Sequence, residues 1–285
     1  MNILVQLKQL ANLTENEKIL VGFILNHHER FLKMSAKQIS QEIFVSNSTI
    51  YRLCQKLNLS GLSELKVQVS SSFNNFILED HELDFNYPIK QHESQYVMVQ
   101  KLKTIYEQTV INTQNLIDLE ILRQVAFKIK KSKYIDIYTS AGNLYFAENF
   151  KFQMQEISRF VNVPIEEYHQ RLTAACSNEE HLAIVISFEG RGHSIGDICH
   201  ILFKQNTPIV LISSTHHTKL DRYASFHLFM SSNENHYNKI SSFSTRLSLL
   251  YLLDCLYTCY FELDYQKNVE LKLENYKRMQ SHHKD

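Results

Sequence analysis

The sequence predicts a small all-α unit followed by an α/β domain whose core is a five-stranded parallel sheet with helices on both faces. Three observations carry this. Apolar residues in the first 70 positions recur at helical spacing between capping signals. After residue 95 two further helical stretches give way to short, nearly continuous apolar runs: "YIDIYT" (134–139), "FVNV" (160–163), "LAIVISF" (182–188), "PIVLIS" (208–213) and "FHLFMS" (226–231). These runs alternate with helical segments, the pattern of strands buried on both sides.

At 285 residues, the chain is long enough for two domains, and 44 % apolar composition supplies a core for each. Lys plus Arg equal Asp plus Glu at 30 each, so the total charge names no partner. Local counts differ. Residues 1–70 hold eight basic and five acidic residues; residues 71–100 hold Lys90 alone against five acidic ones. This reversal, with a serine cluster and Pro88, predicts domains at 1–75 and 96–285 (core 125–262) joined by a linker at 76–95. No run of 18 apolar residues or leader pattern is visible, which predicts a cytoplasmic protein without a membrane span. Five cysteines without a close CxxC pair read as reduced thiols, with Cys255 and Cys259 as packing residues.

In the first domain Thr14 with Glu17 forms a capping-box signature before Ile19, Leu20, Phe23 and Ile24, and Ser35 with Gln38 repeats it before Ile39 and Ile43. The pattern breaks at 44–47, where Ser46 can cap a third short helix whose Ile50, Leu53, Cys54 and Leu57 share a face. Gly61 is expected to allow a sharp turn into "LSELKVQV". The other face of the third helix presents Asn47, Ser48, Thr49, Tyr51, Arg52, Gln55 and Lys56. Arg reads guanine, Asn and Gln read adenine, and hydroxyls and Lys bind phosphate, so this is the inventory a major groove requires. A plain helical packing unit with a solvated face is the competing explanation. The DNA reading requires this hydrophilic flank to face outward, and fails if Arg52 and Thr49 are both packed inside the protein.

The stretch from "LTENEKIL" to "SELKVQV", with its "MS…IS", "VS..T..R.C.KL" and "G..ELK" elements, resembles the N-terminal domain of RpiR-type (MurR/RpiR) bacterial transcription regulators. The resemblance implies that Ser46, Ser48, Thr49, Arg52 and Lys56 stand where that family touches DNA.

In the second domain Gly142, Gly190, Gly192 and Gly196 cluster at the ends of the first and third apolar runs, in "TSAGN" and "SFEGRGHSIG", and "SSTHHT" follows the fourth. Ligands gather at the carboxyl ends of parallel strands, where glycines let backbone approach them; the same glycines also mark ordinary turns. The candidate effector residues are Ser140, Gly142, Asn143, Ser187, Glu189, Gly190, Arg191, Ser213 and Ser214. Residues 125–262 resemble the SIS (sugar isomerase) domain that follows the DNA-binding domain in RpiR-type proteins, which implies a phosphosugar ligand. Three positions depart from that family's pattern: Asn143 and Glu189 replace serines and Gly192 replaces a threonine. A carboxylate repels a phosphate unless Arg191 neutralises it or the ligand brings a cation, so neutral or amine-bearing sugars are expected instead.

The sequence thus predicts a non-enzymatic regulator of carbohydrate-metabolism genes that takes a near-palindromic double-stranded operator and a small sugar-derived effector, as a homodimer or homotetramer. The alternatives are an SIS-type isomerase with a helical assembly head, using Glu189 and His193 as base and acid, and a regulator whose pocket has lost its ligand. No cofactor or metal is expected; adjacent His216 and His217 diverge in direction and make a poor zinc pair.

Overall fold

The computed structural model describes residues 3, 6, 7, 10–69, 83–190, 192, 194–231 and 233–280. Two compact units divide the chain, residues 1–103 and 104–285.

The first unit is helical. Its helices are α1 (Glu15–Asn26), α2 (His28–Lys33), α3 (Ala36–Glu42), α4 (Asn47–Lys56) and α5 (62–69), and the long α6 (Gln95–Leu116) begins in it. Both capping boxes form as the sequence predicts: Thr14 pairs with Glu17, and Ser35 with Gln38. Ile39, Ile50, Leu53, Leu20, Ile24 and Leu65 meet in one core with no solvent exposure. The chain leaves α4 through Asn58, which adopts φ +56°, and bends at Ser60 and Gly61 before α5. Asparagine tolerates this left-handed region because its short polar side chain interacts locally.

Four helix ends use one device. The N–H of Val45 reaches the carbonyl of Ser40 (3.2 Å), that of Leu59 reaches Cys54 (2.9 Å), Arg159 reaches Met154 (2.9 Å) and Thr207 reaches Leu202 (3.0 Å). The residue before each donor is left-handed: Phe44, Asn58, Ser158 and Asn206, at φ 54 to 59°. These are Schellman closures, which satisfy the orphan carbonyls of a last turn and usually place glycine at the left-handed position.

The second unit contains α7 (Leu119–Lys131), β1 (Tyr134–Tyr138), α8 (Asn143–Glu156), α9 (Glu167–Ala175), β2 (His181–Ile186), α10 (Ile195–Lys204), β3 (Ile209–Ser214), β4 (Phe226–Met230), α11 (Phe243–Glu262) and α12 (Tyr265–Gln280). Asp118 caps α7 through the N–H groups of Glu120 and Ile121. The sheet is parallel in the order β1-β2-β3-β4. Its side chains alternate between two cores. Ile135, Ile137, Ile184, Ile186, Val210 and Ile212 face α7, α8 and α11, while Tyr138, Ala183, Val185 and Leu211 face α9 and α10.

Four strands form where five were expected. Residues 160–163 make only an isolated bridge, Asn162 exchanging two backbone bonds with Ile135 and Ile137 beside Asp136. Val161 and Val163 are buried in the core, but Phe160 is 73 % exposed and Pro164, which lacks an N–H and restricts the residue before it, follows immediately, so the pairing does not extend beyond this bridge into a strand. The closing helix is also shorter than the apolar pattern. It ends at Glu262, and the separate α12 docks on α8 through Lys272 Nζ to Glu156 (2.8 Å) and Asn275 Nδ2 to the Glu156 carbonyl (3.0 Å).

Candidate functional site

In the first unit α3, the turn at 43–46 and α4 form the candidate nucleic-acid interface. The turn is held from both sides: Ser40 Oγ donates to Asn47 Oδ1 (2.6 Å), and Val45 N–H closes the end of α3. Ser46 caps α4, its Oγ accepting from the N–H of Thr49 (3.2 Å) and lying 2.7 Å from the Ser48 hydroxyl.

The predicted face of α4 divides into three groups. Ser46, Asn47, Ser48, Tyr51, Arg52 and Gln55 are exposed, and the Nε of Arg52 rests on the Ser48 carbonyl at 3.3 Å, leaving the rest of the guanidinium to solvent. Thr49 is 2 % exposed and its hydroxyl meets Ser46 Oγ at 3.0 Å, so it faces inward. The cause is spacing: Thr49 lies one residue before Ile50 and four before Leu53, on the edge of the buried stripe. Lys56 is tied down. Its Nζ donates to Glu17 Oε2 (2.7 Å) and to the Asn12 carbonyl (2.9 Å). Burial alone would raise the Glu17 carboxyl, but the bonds from Lys56 and Thr14 outweigh it and hold the group below the usual carboxylate range.

In the second unit the described candidate effector residues lie at or just beyond the carboxyl ends of β1, β2 and β3. Ser140 and Gly142 are exposed, and Asn143 opens α8. Ser187 is half-buried and extends the ladder, its N–H bonding the Ile212 carbonyl at 3.0 Å. Gly190 is left-handed at φ +69°, and a Cβ there would stand 3.3 Å from Leu220 and Thr218, so glycine is required for conformation and closeness alike. Arg191 and His193 lie outside the described residues. Ser213 and Ser214 are fully buried. The Ser213 hydroxyl donates to the Ser214 carbonyl (3.0 Å) and shares a 2.7 Å contact with His227 Nε2, whose pKa burial lowers. These two serines therefore lie beneath the surface of the turns.

Glu189 stands at the end of β2 with His236 Nδ1 3.9 Å from its Oε2. His236 belongs to the segment between β4 and α11, which the sequence reading did not single out. The same segment carries Glu234, fully buried at the start of α11, where its carboxylate accepts from the Ser244 N–H, the Thr245 N–H (3.4 Å) and the Thr245 hydroxyl (2.8 Å) and pairs with Lys239 at 3.2 Å. A carboxylate thus occupies the positive end of a 20-residue helix. Only folding reveals this, since the polar tract "NENHYNK" reads as an ordinary loop. Among the described residues no group of three His, Cys, Asp or Glu is placed to hold a metal ion.

Residues 1–75 match a family model described as the helix-turn-helix domain of the rpiR family, and residues 128–258 match one described as the SIS domain. The chain carries an rpiR-family helix-turn-helix domain and a SIS domain. An HTH-type transcriptional regulator of Haemophilus influenzae, itself uncharacterised, is 24 % identical over 248 residues, which cover 86 % of this chain and 85 % of the relative. Among solved structures, NanR of Vibrio vulnificus complexed with ManNAc-6P superposes with a TM-score of 0.59 at 14 % identity over 97 % of both chains. The sugar isomerase domain of an RpiR transcription factor from Sphaerobacter thermophilus gives 0.57 at 14 % identity, covering 65 % of this chain and 99 % of that one. These structures share the fold with this chain. No described helix is long and apolar enough to cross a membrane.

Proposed function

We propose that this RpiR-type regulator binds duplex operator DNA through α4 and a sugar-derived metabolite at the carboxyl ends of β1, β2 and β3, and that it does so without catalysis. The observation that carries the DNA half is the exposed set Ser48, Tyr51, Arg52 and Gln55 on α4, a capped helix within the rpiR-family domain. Arg52 is the base-reading candidate, because a guanidinium bonds two acceptors of guanine. Arg52→Ala is expected to weaken operator binding by about 1–3 kcal/mol without lowering the melting temperature; unchanged affinity at fixed salt would remove that role.

For the effector half the supporting feature is Glu189 beside His236 at the mouth of the turns. A carboxylate there favours hydroxyl donors or an amine over a dianionic phosphate. The V. vulnificus neighbour holds ManNAc-6P, so the informative comparison sets amino and N-acetylated sugars against their phosphates. Calorimetry is expected to rank the unphosphorylated or amine-bearing ligands first, and Glu189→Ser to reverse the order. Tight binding of simple hexose phosphates by the unaltered protein would overturn this selectivity. Turnover of a ketose or aldose phosphate would favour the isomerase instead.

A further inference from the structure

Phe44 is the one large side chain among the four left-handed residues of the Schellman closures; the other three are Asn58, Ser158 and Asn206. Small polar residues tolerate that conformation, but a phenylalanine there is strained, and glycine would relieve it. Its ring is also 92 % exposed, more than Tyr145 and Tyr237 at 81 %. Neither the backbone conformation nor the core therefore accounts for an aromatic group at this position. The turn already closes through Val45 N–H and the Ser40 carbonyl, and the apolar residue it buries is Val45, 5 % exposed, not Phe44.

What distinguishes Phe44 is its place. It lies two residues before Ser46, the cap of α4, within a turn clamped by the Ser40–Asn47 bond. A rigid, solvent-facing ring at the entrance of a groove-reading helix is suited to the apolar features of duplex DNA, the thymine methyl groups and the deoxyribose edges. We infer that Phe44 is a further specificity-determining residue of the operator interface, packing its ring on thymine methyl or deoxyribose surface beside the start of α4. This rests on the reading of α4 as the DNA-binding helix.

The test uses the full-length protein and a duplex that it selects from a random-sequence pool. Phe44→Gly and Phe44→Asn both accept the left-handed backbone, so their melting temperatures should hold or rise by a few degrees. Their affinity for the duplex should fall about five- to thirtyfold, the scale of one lost apolar contact. Because no charge is removed, the slope of log affinity against log salt should not change. Replacing the site's thymines by deoxyuridine should weaken the unaltered protein but not Phe44→Gly if methyl groups are the surface contacted. Equal effects on both proteins assign the contact to deoxyribose. Arg52→Ala is the reference. If it weakens binding and the Phe44 variants do not, the Phe44 role alone is rejected; if neither matters, the DNA-facing assignment of α4 falls and takes Phe44 with it. A drop in melting temperature, or a change of oligomeric state at unchanged DNA affinity, would make the ring structural and likewise overturn the proposal.

Discussion

Glu17 carries a charge in a nearly closed site, with 2 % of its surface exposed, and Lys56 is its cation. Removing one partner of a buried ion pair leaves an uncompensated charge, which typically costs ~3–5 kcal/mol. Lys56 keeps 35 % of its side chain in solvent, so screening reduces the effect, and Lys56→Ala is expected to destabilise the helical unit by about 1–3 kcal/mol in denaturant titration at neutral pH. The sign with pH follows from the depressed Glu17 pKa. The pair's contribution is present above the unfolded carboxylate value of ~4.3 and is lost as pH falls through the lower folded value. The difference between the two proteins should therefore shrink in acid; a constant gap would exclude the ion pair as its source. A phosphate role for Lys56 is natural in the linear sequence, because nothing there brings residue 17 to residue 56. Thr49 illustrates the same limit, since a position at the edge of a helical stripe turns in or out according to what packs against it.

At the scale of elements, α11 shows how a helix that its own cap leaves unfinished is completed from elsewhere. Ser242 offers no side-chain bond, and Glu234 takes the first N–H groups instead, with Lys239 balancing its charge. Glu234→Ala is expected to lower the stability of the second unit by about 1–3 kcal/mol, the cost of leaving buried donors unsatisfied, with Glu234→Gln intermediate. Thermal unfolding followed by circular dichroism measures this, and equal stability of all three proteins would deny the capping role. The local caps at Thr14, Ser35, Ser46 and Asp118 were legible because each lies within three residues of its donor. The Glu234 cap spans ten residues of irregular chain and has no sequence signature. The run 160–163 misled for the opposite reason: β-rich composition suggests a strand, but hydrogen-bonding neighbours make one, and Pro164 denies it a continued ladder.

For the molecule as a whole, one helical head contacts few phosphates, and non-specific affinities of ~10⁻⁴ to 10⁻⁶ M are what such contacts supply. We propose that the second unit pairs two copies so that two α4 helices address half-sites about 34 Å apart, one DNA turn. Exposed Phe152, Ile165, Tyr168 and Leu172 on that unit supply apolar surface for such an association. Analytical ultracentrifugation is expected to give a dimer or tetramer. A duplex with two half-sites should bind ~10²–10⁴-fold more tightly than one with a single half-site. Equal affinity for both duplexes, or a monomer at micromolar concentration, would reject the paired arrangement.

The sequence alone determined the helical head, the parallel α/β domain, the helix caps and the capped third helix with its polar face, because each is written in residues a few positions apart. Tertiary structure decided which polar residues of that helix remain available: Thr49 was turned inward and Lys56 was taken by Glu17. It also buried Ser213 and Ser214, brought His236 to Glu189 and placed Glu234 at the head of α11. Those outcomes depend on contacts between distant segments, where burial converts a polar side chain from a surface group into one that must find a partner.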